Sequence, residues 1–290
     1  MLSKGELFHP SGRPTDGRWV SAEALPLVHP TGVSRRNEPE PGVRWEGGDA
    51  TPTDFVTLPP SSTSFDLQGC KACWWATYVA KEKKPHLALP KVFNAIDGGM
   101  KEALEGRPAS VMAPGLEGTI EAGRSVRSRY VVPKGCKKAI RFNGRTDVLI
   151  RTASGVLIPD NKTSEVKDAH RDLYGRQLGC YAYCFEHPDK GEPTHVTGLG
   201  LFVFEPEGFA ISGATGLFHG RLVWQEIPWE PEEFSEFLTE LGALVDLDEP
   251  PDGASGCERC ATRRRLAKLA ELEAKIGRNE LAPAEERLAS

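Results

Sequence analysis

The sequence predicts an α/β fold, a central mixed sheet flanked by helices, with a cysteine-held lobe joining segments from the two ends of the chain. Three observations carry that prediction. Short apolar, β-branched segments cluster between Ala139 and Ile158. A helix-like stretch from Asp168 to about Glu186 separates them from a further strand-like run, Val196 to Phe204. Two Cys-x-x-Cys pairs, Cys70/Cys73 and Cys257/Cys260, bracket the whole region.

The first 60 residues are rich in Pro, Gly and charge with little periodicity, and predict an extended or partly disordered arm. A folded unit is expected over 61–262, followed by a helical tail over 263–290. Ser61-Ser-Thr-Ser64 supplies cap residues for a helix running through Trp74-Trp75 to about Lys81. Tryptophans at that spacing fill a core, with base stacking as the alternative. A second helix is expected from Val92 to Glu105. Ala139–Phe142, Asp147–Arg151 and Gly155–Ile158 then read as consecutive antiparallel strands.

The last two strands carry the chemistry. If the turn over Thr152-Ala-Ser-Gly155 is centred between Ala153 and Ser154, Asp147 pairs directly with Asp160; a three-residue loop with a bulge at Gly155 shifts the register by one. Either way two carboxylates meet. Facing Cβ atoms lie ~5 Å apart, a gap that a divalent ion with oxygen ligands at ~2.0 to 2.6 Å bridges. Alternation puts Lys162 on the face of Asp160, with Asn161 pointing away and its carbonyl available as a third ligand. Acid-x-Lys recurs at Glu82, Glu165 and Glu273 without this setting; only the Asp160 copy ends an apolar strand and has a second acid at hairpin distance upstream. The following helix carries Gln177 and Tyr181 four apart on one face.

Gly144-Arg-Thr-Asp147, Pro159-Asp-Asn-Lys162 and Gln177-x-x-x-Tyr181, in this order, resemble the motifs of the PD-(D/E)xK nuclease superfamily, and in particular its RecB-like branch, over roughly residues 65 to 260. The resemblance implies a restriction-endonuclease-like core and a deoxyribonuclease, with Asp147, Asp160 and Asn161 holding Mg²⁺ or Mn²⁺. It further implies Lys162 as the catalytic lysine, and Gln177 and Tyr181 as groups that hold the site or the DNA backbone. An exonuclease on single-stranded or end-exposed DNA is the implied activity. The branch often carries a metal-binding His in its first core helix; Val92–Glu105 has none, leaving Asp97, Glu102 or Glu105 as substitutes.

Two Cys-x-x-Cys pairs form a four-thiolate set for a structural zinc or an iron–sulfur cluster. Similar RecB-like exonucleases join cysteines from either side of the core at a four-iron four-sulfur cluster, which the resemblance favours over zinc, although those relatives split the ligands one and three rather than two and two. Seven cysteines and no secretory leader weigh against disulfides, and Cys136, Cys180 and Cys184 read as structural.

The net charge of −5 conceals an uneven distribution. Eight cations and no acid lie between Arg124 and Arg145, among them the candidate DNA contacts Arg124, Arg127, Arg129, Lys137, Lys138 and Arg145. Ten acids and no cation lie between Leu222 and Gly256, so a polyanion would be steered toward the first metal ligand. The absence of any apolar run of ~18 to 20 residues predicts a soluble, cytoplasmic protein without a membrane span. No phosphate-binding loop is present, so unwinding would need a helicase or a recombination or CRISPR partner. The alternative from another class is a non-catalytic DNA-binding or scaffold subunit of a recombination, CRISPR-adaptation or phage-defence complex.

Overall fold

The computed structural model describes residues 43–45, 52–83 and 90–280, the side chains of 43–45 and 277–280 excepted. The expected N-terminal arm and the end of the C-terminal tail therefore lie largely outside the described residues. Two parts of the arm region are strands: β1, Val43–Trp45, and β2, Phe55–Leu58.

The architecture is α/β with mixed sheets and helices on their faces. Elements then run α1 Phe65–Gly69, α2 Lys71–Tyr78, α3 Lys91–Leu104, β3 Thr119–Ala122, β4 Ser125–Arg127, β5 Val131–Pro133, β6 Ala139–Arg145, β7 Val148–Arg151 and β8 Val156–Thr163. After them come α4 Ala169–Glu186, β9 Val196–Ser212, β10 Thr215–Ile227, α5 Pro231–Val245 and α6 Glu258–Glu280. The helix expected from Ser64 to Lys81 is broken, because Cys70 is extended (φ −163°, ψ 108°) and separates α1 from α2.

Where one central sheet was expected, there are two. One has the order β10-β9-β8-β7-β3; the other has the order β1-β5-β6-β2, with β4 on β6. The expected run of three paired strands is thus corrected: β6 pairs with β5, β4 and, in parallel, β2, whereas β7 pairs with β3 and β8. The chain changes sheets at Thr146, whose N–H donates to Arg124 O at 3.1 Å and whose hydroxyl accepts from Arg124 N–H at 3.2 Å. The strand expected from Val196 to Phe204 continues to Ser212 as β9 and forms one long hairpin with β10. Its outer end exposes Phe209, Ile211, Leu217 and Phe218.

Helix α4 lies between the sheets. Every residue from Gln177 to Phe185 is buried, so the helix lacks the apolar stripe of a surface helix. Tyr174, Leu178 and Tyr181 pack on Ile158, Leu199 and Leu201 of one sheet, while Cys180, Tyr183 and Cys184 join Ile140, Phe142, Trp74, Trp75 and Phe234 in the other core. Trp74 and Trp75 are core residues, which removes base stacking as their role. On the far face of the first sheet, Leu104 and Met100 of α3 pack with Ile150, Leu157 and Phe202. Among the described residues, no helix is long and apolar enough to cross a membrane.

Candidate active site

The β7/β8 hairpin aligns Ile150 with Leu157 and Arg151 with Val156. Continuing this two-residue-turn register by three positions sets Asp147 opposite Asp160, the first of the two registers considered from sequence. Parallel pairing of β8 with β9, Asp160 beside Leu201 and Lys162 beside Val203, makes β8 an interior strand. That explains why a carboxylate at its end is buried: Asp160 is only 5% exposed.

Each carboxylate is fixed by named groups. Asp147 Oδ2 accepts the Asn161 backbone N–H at 2.9 Å. Asp160 Oδ1 accepts Gln177 Nε2 at 3.2 Å, and the Ser64 hydroxyl lies 3.3 Å from Gln177 Oε1, so α4 and the turn before α1 hold the acid in place. Lys162 Nζ forms an ion pair with Asp160 Oδ2 and lies 4.6 Å over the Tyr174 ring. Tyr181 does not reach the carboxylates; its hydroxyl donates to Arg145 O at 2.9 Å, anchoring the chain just before Asp147. The side-chain amide of Asn161 is buried with no hydrogen-bond partner among the described residues.

Electrostatics mark the site through the burial of Asp160. Burial pushes the Asp160 carboxyl up to about 6; Lys162 opposes the rise and Asp147 adds to it. Burial would lower the Lys162 ammonium, but attraction to Asp160 outweighs it and holds the pKa above the ordinary lysine value. These directions agree, since Lys162 faces two carboxylates while Asp160 faces one cation and one anion. A divalent ion held by Asp147, Asp160 and a carbonyl of Asn161 relieves that repulsion, so the oxygen donors present fit Mg²⁺ or Mn²⁺.

Two contributors were not read from the sequence. Lys101 of α3 places Nζ 2.8 Å from Asp147 Oδ1 and 2.7 Å from Asp97 Oδ2. Burial works against its charge, yet the bonds to Asp147 and Asp97 raise its pKa. Of the three acids considered in place of a histidine, Asp97 alone is joined to the site in this way; Glu102 and Glu105 are exposed. The second is Gly123, whose N–H donates to Asp147 O at 3.2 Å. A Cβ there would stand 1.9 Å from Thr146 O and 2.4 Å from Asp147 O.

The basic run divides. Arg145 stands two residues before Asp147 and Arg124 is joined by its backbone to Thr146, with the Arg124 guanidinium over the Phe185 ring at 4.7 Å and Arg145 bonded to Gly123 O at 3.2 Å. Arg127 is paired with Asp189, and Arg129 donates to Pro188 O at 3.0 Å. Lys137 and Lys138 sit at the opposite end of β6, where their backbone N–H groups bond Asp246 at 2.6 and 2.9 Å. One of the acids expected on a far side thus caps this basic turn.

Cys70, Cys73, Cys257 and Cys260 converge with all four Sγ atoms within 4.8 Å of one another. The break at Cys70 and the start of α6 bring the pairs together, with Sγ separations of 3.6 Å (Cys70 to Cys260), 3.6 Å (Cys73 to Cys257) and 3.4 Å (Cys73 to Cys260). The Ala254 N–H points at Cys70 Sγ from 3.4 Å, and a Cβ on Gly253 would meet Cys260 Sγ at 2.8 Å, so a side-chain-free loop cradles the sulfurs. Burial raises the Cys70 thiol, but N–H groups from Ala254 and Cys73 and the neighbouring thiols outweigh it and bring the pKa down to about 6. Four thiolates on one tetrahedral ion with bonds of ~2.3 Å stand ~3.8 Å apart. A four-iron cube holds its thiolates on separate corners, ~6 Å apart. The three separations lie nearer the first value than the second.

The family model of the PD-(D/E)XK nuclease superfamily matches residues 67–265, which include Asp147, Asp160, Lys162 and all four clustered cysteines. No curated protein matches the chain. Among solved structures, the chain is similar to the crystal structure of SSO0001, with 16% identity and a TM-score of 0.32. That likeness covers 55% of this chain and 62% of the other, so the chain spans about six tenths of its length.

Proposed function

This chain belongs to the PD-(D/E)XK nuclease superfamily, and from that premise we propose that it is a deoxyribonuclease centred on Asp147, Asp160 and Lys162. The observation that carries the proposal is the carboxylate of Asp160, buried, raised in pKa and held by Gln177 and Lys162, with Asp147 beside it on the Asn161 N–H. A buried carboxylate with a second acid beside it is costly to a fold that gains nothing from it, which favours catalysis over the scaffold alternative.

Asp147, Asp160 and the Asn161 carbonyl would hold a divalent ion, which would supply a water of lowered pKa and polarise the phosphate. Gln177 keeps Asp160 in its rotamer. Lys162, steadied by Asp160 and the Tyr174 ring, positions the attacking water or shares charge that develops on the phosphoryl oxygens. Arg124 and Arg145, at the end of the basic run that leads to Asp147, are the phosphate contacts of this reading. The Gln177-x-x-x-Tyr181 helix and the flanking cysteines support the RecB-like branch, and with it an exonuclease on single-stranded or end-exposed DNA that works beside a helicase or recombination partner. In this reading 61–262 form the nuclease domain, closed by the cysteine lobe, with 1–60 and 263–290 as appendages. The lobe holds one tetrahedral ion, zinc foremost, because the sulfurs would have to spread to accept the four-iron cluster that the resemblance implies.

The test uses end-labelled linear and circular DNA, single- and double-stranded, with Mn²⁺. Wild-type protein is expected to shorten linear single strands, and Asp160→Asn and Lys162→Met to lose at least ~10³-fold in rate while still binding DNA. Cleavage unchanged in both variants defeats the assignment. Anaerobic purification with metal and sulfide analysis separates zinc from a cluster.

A further inference from the structure

The ammonium of Lys101 belongs to α3, outside the hairpin and α4, yet it occupies Asp147 Oδ1 at 2.8 Å. The other oxygen of that carboxylate is taken by the Asn161 backbone N–H, a partner fixed within the strands. An ion shared by Asp147 and Asp160 must use an oxygen of Asp147, and the Oδ1 partner is the one on a flexible stem. Lys101 is also bonded at 2.7 Å to Asp97, one helical turn earlier on α3. Asp97 is half exposed and makes a resting place for the ammonium once it leaves Asp147.

We propose that Lys101 is a displaceable counter-cation of the metal centre: it neutralises Asp147 when no metal is bound, competes with the divalent ion for Oδ1, and withdraws onto Asp97 when the ion enters. This rests on the reading of Asp147 and Asp160 as metal ligands. Ammonium and divalent ion cannot share one carboxylate oxygen without strong repulsion at such separations, so each weakens the other's hold on it. Asp97 thereby acts on the site through Lys101 and is a positioning residue. The arrangement balances a carboxylate pair that would otherwise repel throughout the metal-free life of the protein.

Mn²⁺ titration of the full chain, followed by electron paramagnetic resonance of the free ion and by calorimetry, tests this without any activity measurement. Lys101→Met and Lys101→Gln are expected to bind Mn²⁺ at least ~tenfold more tightly than wild type. Asp97→Asn is expected to bind it several-fold more weakly, because the ammonium then has Asp147 alone. Lys101 lies in a half-exposed position and buries no core surface, and matching thermal transitions of the variants check that they fold. Unchanged or weaker Mn²⁺ binding in both Lys101 variants overturns the proposal. Wild-type protein that binds no Mn²⁺, or Asp160→Asn that binds as well as wild type, overturns the metal-centre reading instead.

Discussion

At the scale of single residues, the site depends on close approaches that only particular side chains allow. Gly123 is the sharpest case, since any Cβ would overlap the carbonyls of Thr146 and Asp147. Gly123→Ala is expected to cost roughly 2 to 4 kcal/mol by displacing the strand start, and to weaken Mn²⁺ binding while far-ultraviolet circular dichroism keeps its native shape. Gln177→Ala leaves Asp160 Oδ1 without its donor. We expect a rate loss of at least ~tenfold, with a smaller change in Mn²⁺ affinity than Asp160→Asn gives. The carboxylates and Lys162 were legible because strand alternation and hairpin register are arithmetic on the sequence. Lys101 was not, because nothing distinguishes it from any other lysine on an amphipathic helix until tertiary packing turns it toward Asp147. Gly123 was equally silent, for its neighbours are 23 positions along the chain.

At the scale of elements, periodicity found the helices and strands, while sheet membership escaped it. Nothing local in Arg145-Thr-Asp147 announces that β6 and β7 part into different sheets, since that depends on the β4 segment reaching Thr146. The break at Cys70 was hidden for a similar reason: helix propensity runs through it, and the convergence of four sulfurs overrides that preference. Helix α4, clasped on both sides, also carries a titrating cost near its end. Burial lifts the Glu186 carboxyl from 4.5 to about 7, against the Val196 N–H and the Trp229 side chain. The folded chain therefore binds this proton more tightly than the unfolded chain, so the group's contribution is full below about pH 4.5 and is lost as pH rises through 7. Glu186→Gln is expected to raise the melting temperature at pH 8 and to leave it nearly unchanged at pH 4.5, as followed by circular dichroism.

At the scale of the whole molecule, the charge asymmetry of the sequence is only partly realised in space. Lys137 and Lys138 sit at the far end of β6, where their backbone N–H groups bond Asp246, and Arg127 is paired with Asp189, which leaves Arg124 and Arg145 at the end of the run that leads to Asp147. Arg145→Ala is accordingly expected to weaken single-stranded DNA binding several-fold and to lower its salt dependence by about one counterion, whereas Lys137→Ala leaves both unchanged in fluorescence-anisotropy titrations. The cysteine joint ties residues that stand 190 positions apart. By loop-closure entropy a cross-link of that span is worth on the order of 5 kcal/mol. With the proposed ion in this joint, stripping it with a chelator, or Cys260→Ser, is expected to lower the melting temperature by ten degrees or more and to depress the proposed cleavage with it.

That joint also imposes an order on biosynthesis. A ribosome releases Cys70 and Cys73 before β3 to β10 and α4, and Cys257 and Cys260 only after them, so two thiols wait without their partners while that stretch is made. A cell short of the proposed ion, or one that oxidises the waiting pair, would accumulate chains that have fixed Asp147 and Asp160 in place yet cannot fasten the fold around them.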